Sequence, residues 1–223
     1  MAVESYSSRL WAASQPLYQR ILGHPFLVRL QDGSLAPATF AYYLEQDRLF
    51  LDLYARSLCV LASRAPTAEA VLLFSRDAAD AISAEQQMES QWLAELSATP
   101  ADAPPPQIAP TTLAYGSYLL STVHGEGFFL GLAAVLPCYW VYFEVGRHLA
   151  RAGSSSPLYQ SWIDSYSSPA FESVVQRVRG SIDEVARRQQ SDQLHLAKER
   201  FLTAVRYEWM FWDMAWRTED WPT

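Results

Sequence analysis

Seventeen consecutive uncharged residues separate Glu126 from Glu144, in the run GFFLGLAAVLPCYWVYFEVG from Gly127 to Gly146. A segment so apolar has to be withdrawn from water. A membrane span, a buried central helix and a helix that carries a reactive thiol all meet that demand. A span needs about 20 apolar residues, whereas acids close this run at both ends and Pro137 interrupts it. The reading taken is a central buried helix. It holds Cys138 and Tyr142 on one face, because residues four apart on a helix stack above one another. Pro137 withholds one helical N–H and is expected to kink the helix beside the thiol.

The rest of the chain has to supply what packs around such a helix. With 223 residues, half of them hydrophobic and 18% charged, one globular domain over residues 1–223 is expected. The net charge of −7 comes without any basic stripe, which argues against nucleic-acid binding. Cys59 and Cys138 give no disulfide framework and suggest a reducing compartment. The first residues, MAVESYSSRLWAAS, lack a signal peptide's apolar core, so the cytoplasm is the expected location, without membrane attachment.

Apolar residues recur every three or four positions through most of the chain, and no segment keeps strand alternation for long. An all-α bundle of roughly seven to nine helices is therefore expected. Helices are assigned to Ser7–Leu22, Pro37–Ser63, Thr67 or Ala68 to Leu96, Thr111 or Thr112 to His124, the central run, Pro157–Tyr166, Pro169–Arg188 and Asp192–Trp216. Thr111 or Thr112 is expected to cap its helix, Ser168 to cap the helix opened by Pro169, and Ala98–Pro110 to form a Pro-rich loop. Gly125, Gly127 and Gly131 are expected to allow close backbone approach.

Two acids break the pattern. Asp47 lies on the stripe Phe40, Tyr43, Phe50 or Leu51, Tyr54, and Glu208 on the stripe Phe201, Ala204 or Val205, Phe211 or Trp212. Both fall on faces meant for burial, where desolvation raises a carboxylate's pKa. A neighbouring Arg or backbone N–H groups would make Asp47 purely structural, and a free Cys in an apolar helix is commonly a core residue. Alternatively, a thiol with buried acids suits nucleophilic attack on an electron-poor ring with acid–base help. A carboxylate-bridged metal pair is rejected, since no Glu precedes His24, His124, His148 or His195 by three residues.

An ordered set of motifs adds to this. His24-Pro25-Phe26, Gly33-x-Leu35, Phe40-x-x-Tyr43-x-x-Gln46-Asp47, Pro110-Thr111-Thr112 with Tyr115, Leu136-Pro137-Cys138-Tyr139-Trp140 with Tyr142, Tyr159-x-x-Trp162-Ile163-x-x-Tyr166, and Glu208 before Phe211-Trp212 together resemble the TenA/thiaminase II family from about Leu17 to Trp216. The resemblance implies a haem-oxygenase-like helical fold without haem, no metal or organic cofactor, and a homo-oligomer, tetramer or dimer. It also implies hydrolytic removal of an amino or thiazolium group from the methylene of a pyrimidine in thiamin salvage. In that scheme Cys138 is the nucleophile and Glu208 exchanges protons with the ring nitrogen or amino group. Asp47 binds the aminopyrimidine edge, while Tyr115, Tyr142 and Tyr166 position ring and thiol. Phe50 stands where many members have a second active-site tyrosine, and Glu89 where members often have a histidine. Two other functions fit the same fold: a pyrimidine- or thiamin-binding regulatory protein with weak catalysis, and a cofactor-dependent reaction.

Overall fold

The computed structural model describes residues 4–88 and 106–222. Those residues form nine helices: α1 (Tyr6–Leu22), α2 (Pro25–Asp32), α3 (Pro37–Ser63), α4 (Ala68–Met88), α5 (Pro110–Gly125), α6 (Phe128–Leu149), α7 (Pro157–Ser167), α8 (Pro169–Ala186) and α9 (Ser191–Arg217). No strand occurs among the described residues, and the all-α class is as expected. Glu89, the predicted end of the fourth helix at Leu96 and most of the Pro-rich loop lie outside the described residues.

Most helix starts follow local chemistry. Ser5 caps α1 by accepting from Ser8 N–H, and Ser168 caps α8 by accepting from Phe171 N–H, with Pro169 in the first turn. The short α2 is an addition to the sequence-based assignment. His24 Nδ1 accepts from Phe26 N–H, Pro25 occupies the first turn, and Gly33 closes the helix at φ 81°. At α5 the expected threonine cap is replaced. Ala109 is the N-cap residue without a side-chain bond, and Pro110 comes first in the helix. Gln46 Oε1 accepts from both Ala109 N–H and Thr112 Oγ1, while Glu219 Oε2 accepts from Thr111 N–H. Tertiary partners thus satisfy donors that a local cap would otherwise hold.

Helix α6 is the central element, packed against α3, α5, α7, α8 and α9. It is long and apolar enough to cross a membrane, yet 83% of its most apolar window is buried inside the bundle. The helix continues unbroken through Pro137. Gly127 starts it at φ 83°, a conformation that side-chain-bearing residues avoid. Of the three glycines expected at close approaches, only Gly131 is crowded. A Cβ there would lie 3.1 Å from Leu61 and Val123, whereas Gly125 and Gly127 face open space.

A close approach to backbone occurs at Gly146, where a Cβ would stand 2.8 Å from the Tyr166 carbonyl carbon. That contact seats α7 on α6 through backbone, which cannot rotate aside. Gly146→Ala is expected to displace α7 and cost roughly 1–3 kcal/mol by overpacking. A shift in denaturant midpoint measures it.

Candidate active site

A cavity of about 230 Å³ opens where α3, α4, α6, α7 and α8 meet. Asp47 and Phe50 reach it from α3, Cys138 and Tyr142 from α6, and Tyr166 from α7. Five of the seven site residues expected from sequence therefore share one wall system. Cys138 and Tyr166 keep some accessible surface, whereas Asp47, Phe50 and Tyr142 are buried. The other two, Tyr115 of α5 and Glu208 of α9, stand behind the thiol rather than on the cavity surface. Asp47 therefore borders the cavity together with the thiol, and Glu208 does not.

The hydrogen bonds behind Cys138 assign its proton. Tyr115 Oη donates to Glu208 Oε1 at 2.6 Å and lies 3.0 Å from Cys138 Sγ. A phenol has one proton, so with that proton on Glu208 the thiol donates to the Tyr115 oxygen. Burial and the Glu208 charge push the Cys138 pKa well above its usual value, so the resting sulfur is a thiol. A thiol held in this way turns nucleophilic only when a base takes its proton. Glu208 can exchange a proton near neutral pH: burial raises its pKa to about 7, against the opposing pull of the Tyr115 hydroxyl and the Cys138 thiol. Tyr115 links sulfur to carboxylate and is itself fixed between Phe50 and Tyr207, with ring centroids 4.8 and 5.0 Å away.

Asp47 has neither of the partners that would make it merely structural. It is 3% exposed, its Oδ2 lacks a hydrogen-bond partner, and no ion pair to it forms among the described residues. Burial first and the Glu208 charge second raise its pKa to about 7. A carboxyl group stored in this way is an open hydrogen-bonding site toward the cavity. Tyr43 and Tyr142 stand beside it, their hydroxyls 3.5 Å apart, and Tyr142 packs on Tyr166 at 4.9 Å. Phe50 adds a ring but no hydroxyl.

Sequence reasoning missed four residues here. Tyr54, Asp77 and Tyr139 also line the cavity, and Tyr43 supports Asp47 from one turn earlier in α3. Asp77 was detectable, since it follows buried Phe74 by three residues and precedes buried Ala78 on the inner face of α4. Among the described residues no group of three or more His, Cys, Asp or Glu side chains could hold a metal ion.

A stability effect follows from Asp47. Its pKa is near 3.8 when unfolded and about 7 when folded. Between those values the folded state binds more protons, so this group's contribution falls as pH rises through about 7. Asp47→Asn is therefore expected to raise Tm relative to the wild type near pH 8, with little difference near pH 4. At roughly 1.4 kcal/mol per pKa unit, the upper bound is on the order of 4 kcal/mol. Thermal melts of both proteins at the two pH values test it; an equal Tm difference at both would contradict it.

A family model described as TENA/THI-4/PQQC matches residues 11–218. The chain belongs to that family. Its relatives include an aminopyrimidine aminohydrolase of Halalkalibacterium halodurans, 30% identical over 97% of this chain and 98% of that protein. The thiamine biosynthesis multifunctional protein ThiED of Corynebacterium efficiens is 34% identical over 95% of this chain, which spans only 28% of that longer protein. Among solved structures, a TenA homologue from P. horikoshii OT3 superposes with a TM-score of 0.86 at 28% identity, covering 96% of this chain and 99% of that one. A Shewanella denitrificans domain with a haem-oxygenase-like fold superposes at 0.75 and 13% identity, over 98% and 94%, and supports the fold alone.

Proposed function

We infer that this TENA/THI-4/PQQC member is an aminopyrimidine aminohydrolase of the thiaminase II type, acting in thiamin salvage. Full-length similarity to aminopyrimidine aminohydrolases supports the activity. The observation that carries the mechanism is the chain Cys138 Sγ, Tyr115 Oη, Glu208 Oε1, with separations of 3.0 and 2.6 Å.

In the proposed reaction the pyrimidine's amino edge meets Asp47, whose Oδ2 is otherwise unpartnered. Tyr142 and Tyr166 hold the ring. Cys138 passes its proton through Tyr115 to Glu208 as sulfur bonds to a ring carbon. The ring electrons then expel the amine, already protonated near neutral pH, from the methylene as ammonia while Glu208 keeps the thiol's proton. Water adds to the methylene carbon and yields its proton to the departing ammonia, the sulfur–carbon bond breaks, and hydroxymethylpyrimidine is released while Glu208 returns its proton through Tyr115 to sulfur. A carboxyl group with pKa about 7 can give and take a proton in the same cycle near neutral pH.

A single domain over the whole chain, a homo-oligomer (tetramer or dimer) and a cytoplasmic location belong to the same proposal. The contiguous core and the free thiols of Cys59 and Cys138 support it. Incubation with an aminomethylpyrimidine and, separately, with thiamin tests the activity by chromatography. Hydroxymethylpyrimidine is the expected product. Pyrimidine binding without product would favour the regulatory alternative.

A further inference from the structure

The cavity has a second acidic wall that the proposed reaction does not use. Asp77 of α4 is 6% exposed and lines the cavity, with exposed Asp80 one turn on and Ala81 beside it. Tyr139 Oη donates to Asp77 Oδ2 at 2.8 Å, which fixes the carboxylate's direction. No ion pair to Asp77 forms among the described residues, although Arg177 exerts a longer-range attraction.

This wall lies away from Asp47. Along α3, Asp47 is close to Tyr43 and Tyr142, while Tyr54 is close to Val135 and Tyr139 of α6, with Oη donating to the Val135 carbonyl at 3.2 Å. Seven residues of helix separate Asp47 from Tyr54, roughly 10 Å at 1.5 Å per residue. The Glu208 charge acts on Asp47, and neither acid is among the groups that shift Asp77. Cys138 stands between the two ends. The walls between are aromatic, from Phe50, Tyr54, Tyr139 and Phe171, and ring faces favour a cation.

We propose that Asp77, seconded by Asp80, forms the subsite for the cationic leaving group of the substrate, an alkylammonium or a thiazolium-type ring, while Asp47 holds the pyrimidine at the other end. The inference rests on the pyrimidine reading of the site. An alkylamine is protonated near neutral pH and a thiazolium carries a permanent charge, so both substrate types present a positive group on the methylene. A carboxylate at the end of an aromatic slot attracts that charge before the bond breaks and retains it as it leaves. Asp77 is a binding residue here, with no proton transfer assigned to it.

Binding in the Cys138→Ala protein tests this without turnover. Calorimetry compares a cationic aminomethylpyrimidine with neutral hydroxymethylpyrimidine. Asp77→Asn is expected to lower the cation-over-neutral affinity ratio about tenfold. Exposed Asp80→Lys, which leaves the core untouched, is expected to lower it about threefold. An unchanged ratio in both variants overturns the inference, as does an equal weakening of both ligands, the mark of a carboxylate that merely braces Tyr139. Failure of the wild type to form product would instead count against the catalytic reading, since the affinity ratio is measured independently of chemistry.

Discussion

Glu208→Gln is expected to reduce kcat by between about 10² and 10⁴, the usual range for losing a positioned proton-transfer group. Gln keeps the shape of the side chain and can still meet Tyr115, so α9 should pack as before. The amide cannot take the Cys138 proton relayed by Tyr115, and burial keeps that thiol protonated. The wild type should lose kcat/KM as pH falls below about 7, because Glu208 must be ionised to act as the base. The variant should lack that limb. Removal of an acid buried at 1% exposure should also raise Tm near pH 8, so lost activity with gained stability is the combined signature. A rate profile and a melt on the same preparation read both; an unaltered pH limb in Glu208→Gln would mean another group is the base.

Cys138→Ser is expected to lose at least about 10³ in kcat, and Cys138→Ala as much, since each removes the nucleophile rather than its helper. Serine is close in size to cysteine and meets the same Tyr115 hydroxyl. Its hydroxyl is a far weaker nucleophile near neutral pH, and a carboxylate of pKa about 7 is too weak a base to ionise it. Circular dichroism and Tm should stay near wild type, and hydroxymethylpyrimidine should still bind, which separates chemical failure from unfolding. Substantial turnover by either variant would remove covalent addition from the mechanism.

The pattern of what could be read in advance has a physical basis. Asp47 and Glu208 stood out because long amphipathic helices impose a period strict enough for one misplaced charge to be visible. The apolar run from Gly127 to Gly146 had too few polar residues to face water, its flanking acids and Pro137 argued for the core over a span, and α6 is buried accordingly. Helix α2 escaped because eight residues leave little room for a period, although Pro25 and Gly33 marked both its ends. The start of α5 misled because its donors are satisfied by Gln46 and Glu219, contacts that no local rule contains. Asp77 was overlooked because α4 carries polar residues on several sides, which blurs the inner face. That Glu208 lies behind the thiol, reached through Tyr115, depends on how α5, α6 and α9 cross, and periodicity along one helix says nothing of crossings.

The most direct test of the central claim is hydrolysis of an aminomethylpyrimidine by the wild-type protein in ¹⁸O-water, followed by mass spectrometry of the pyrimidine and quantitation of ammonia. The site described here predicts hydroxymethylpyrimidine with one ¹⁸O on the methylene and the ring amino group intact, formed one-to-one with ammonia. Label on the ring with loss of the ring amino group, or substrate recovered unchanged, would contradict it.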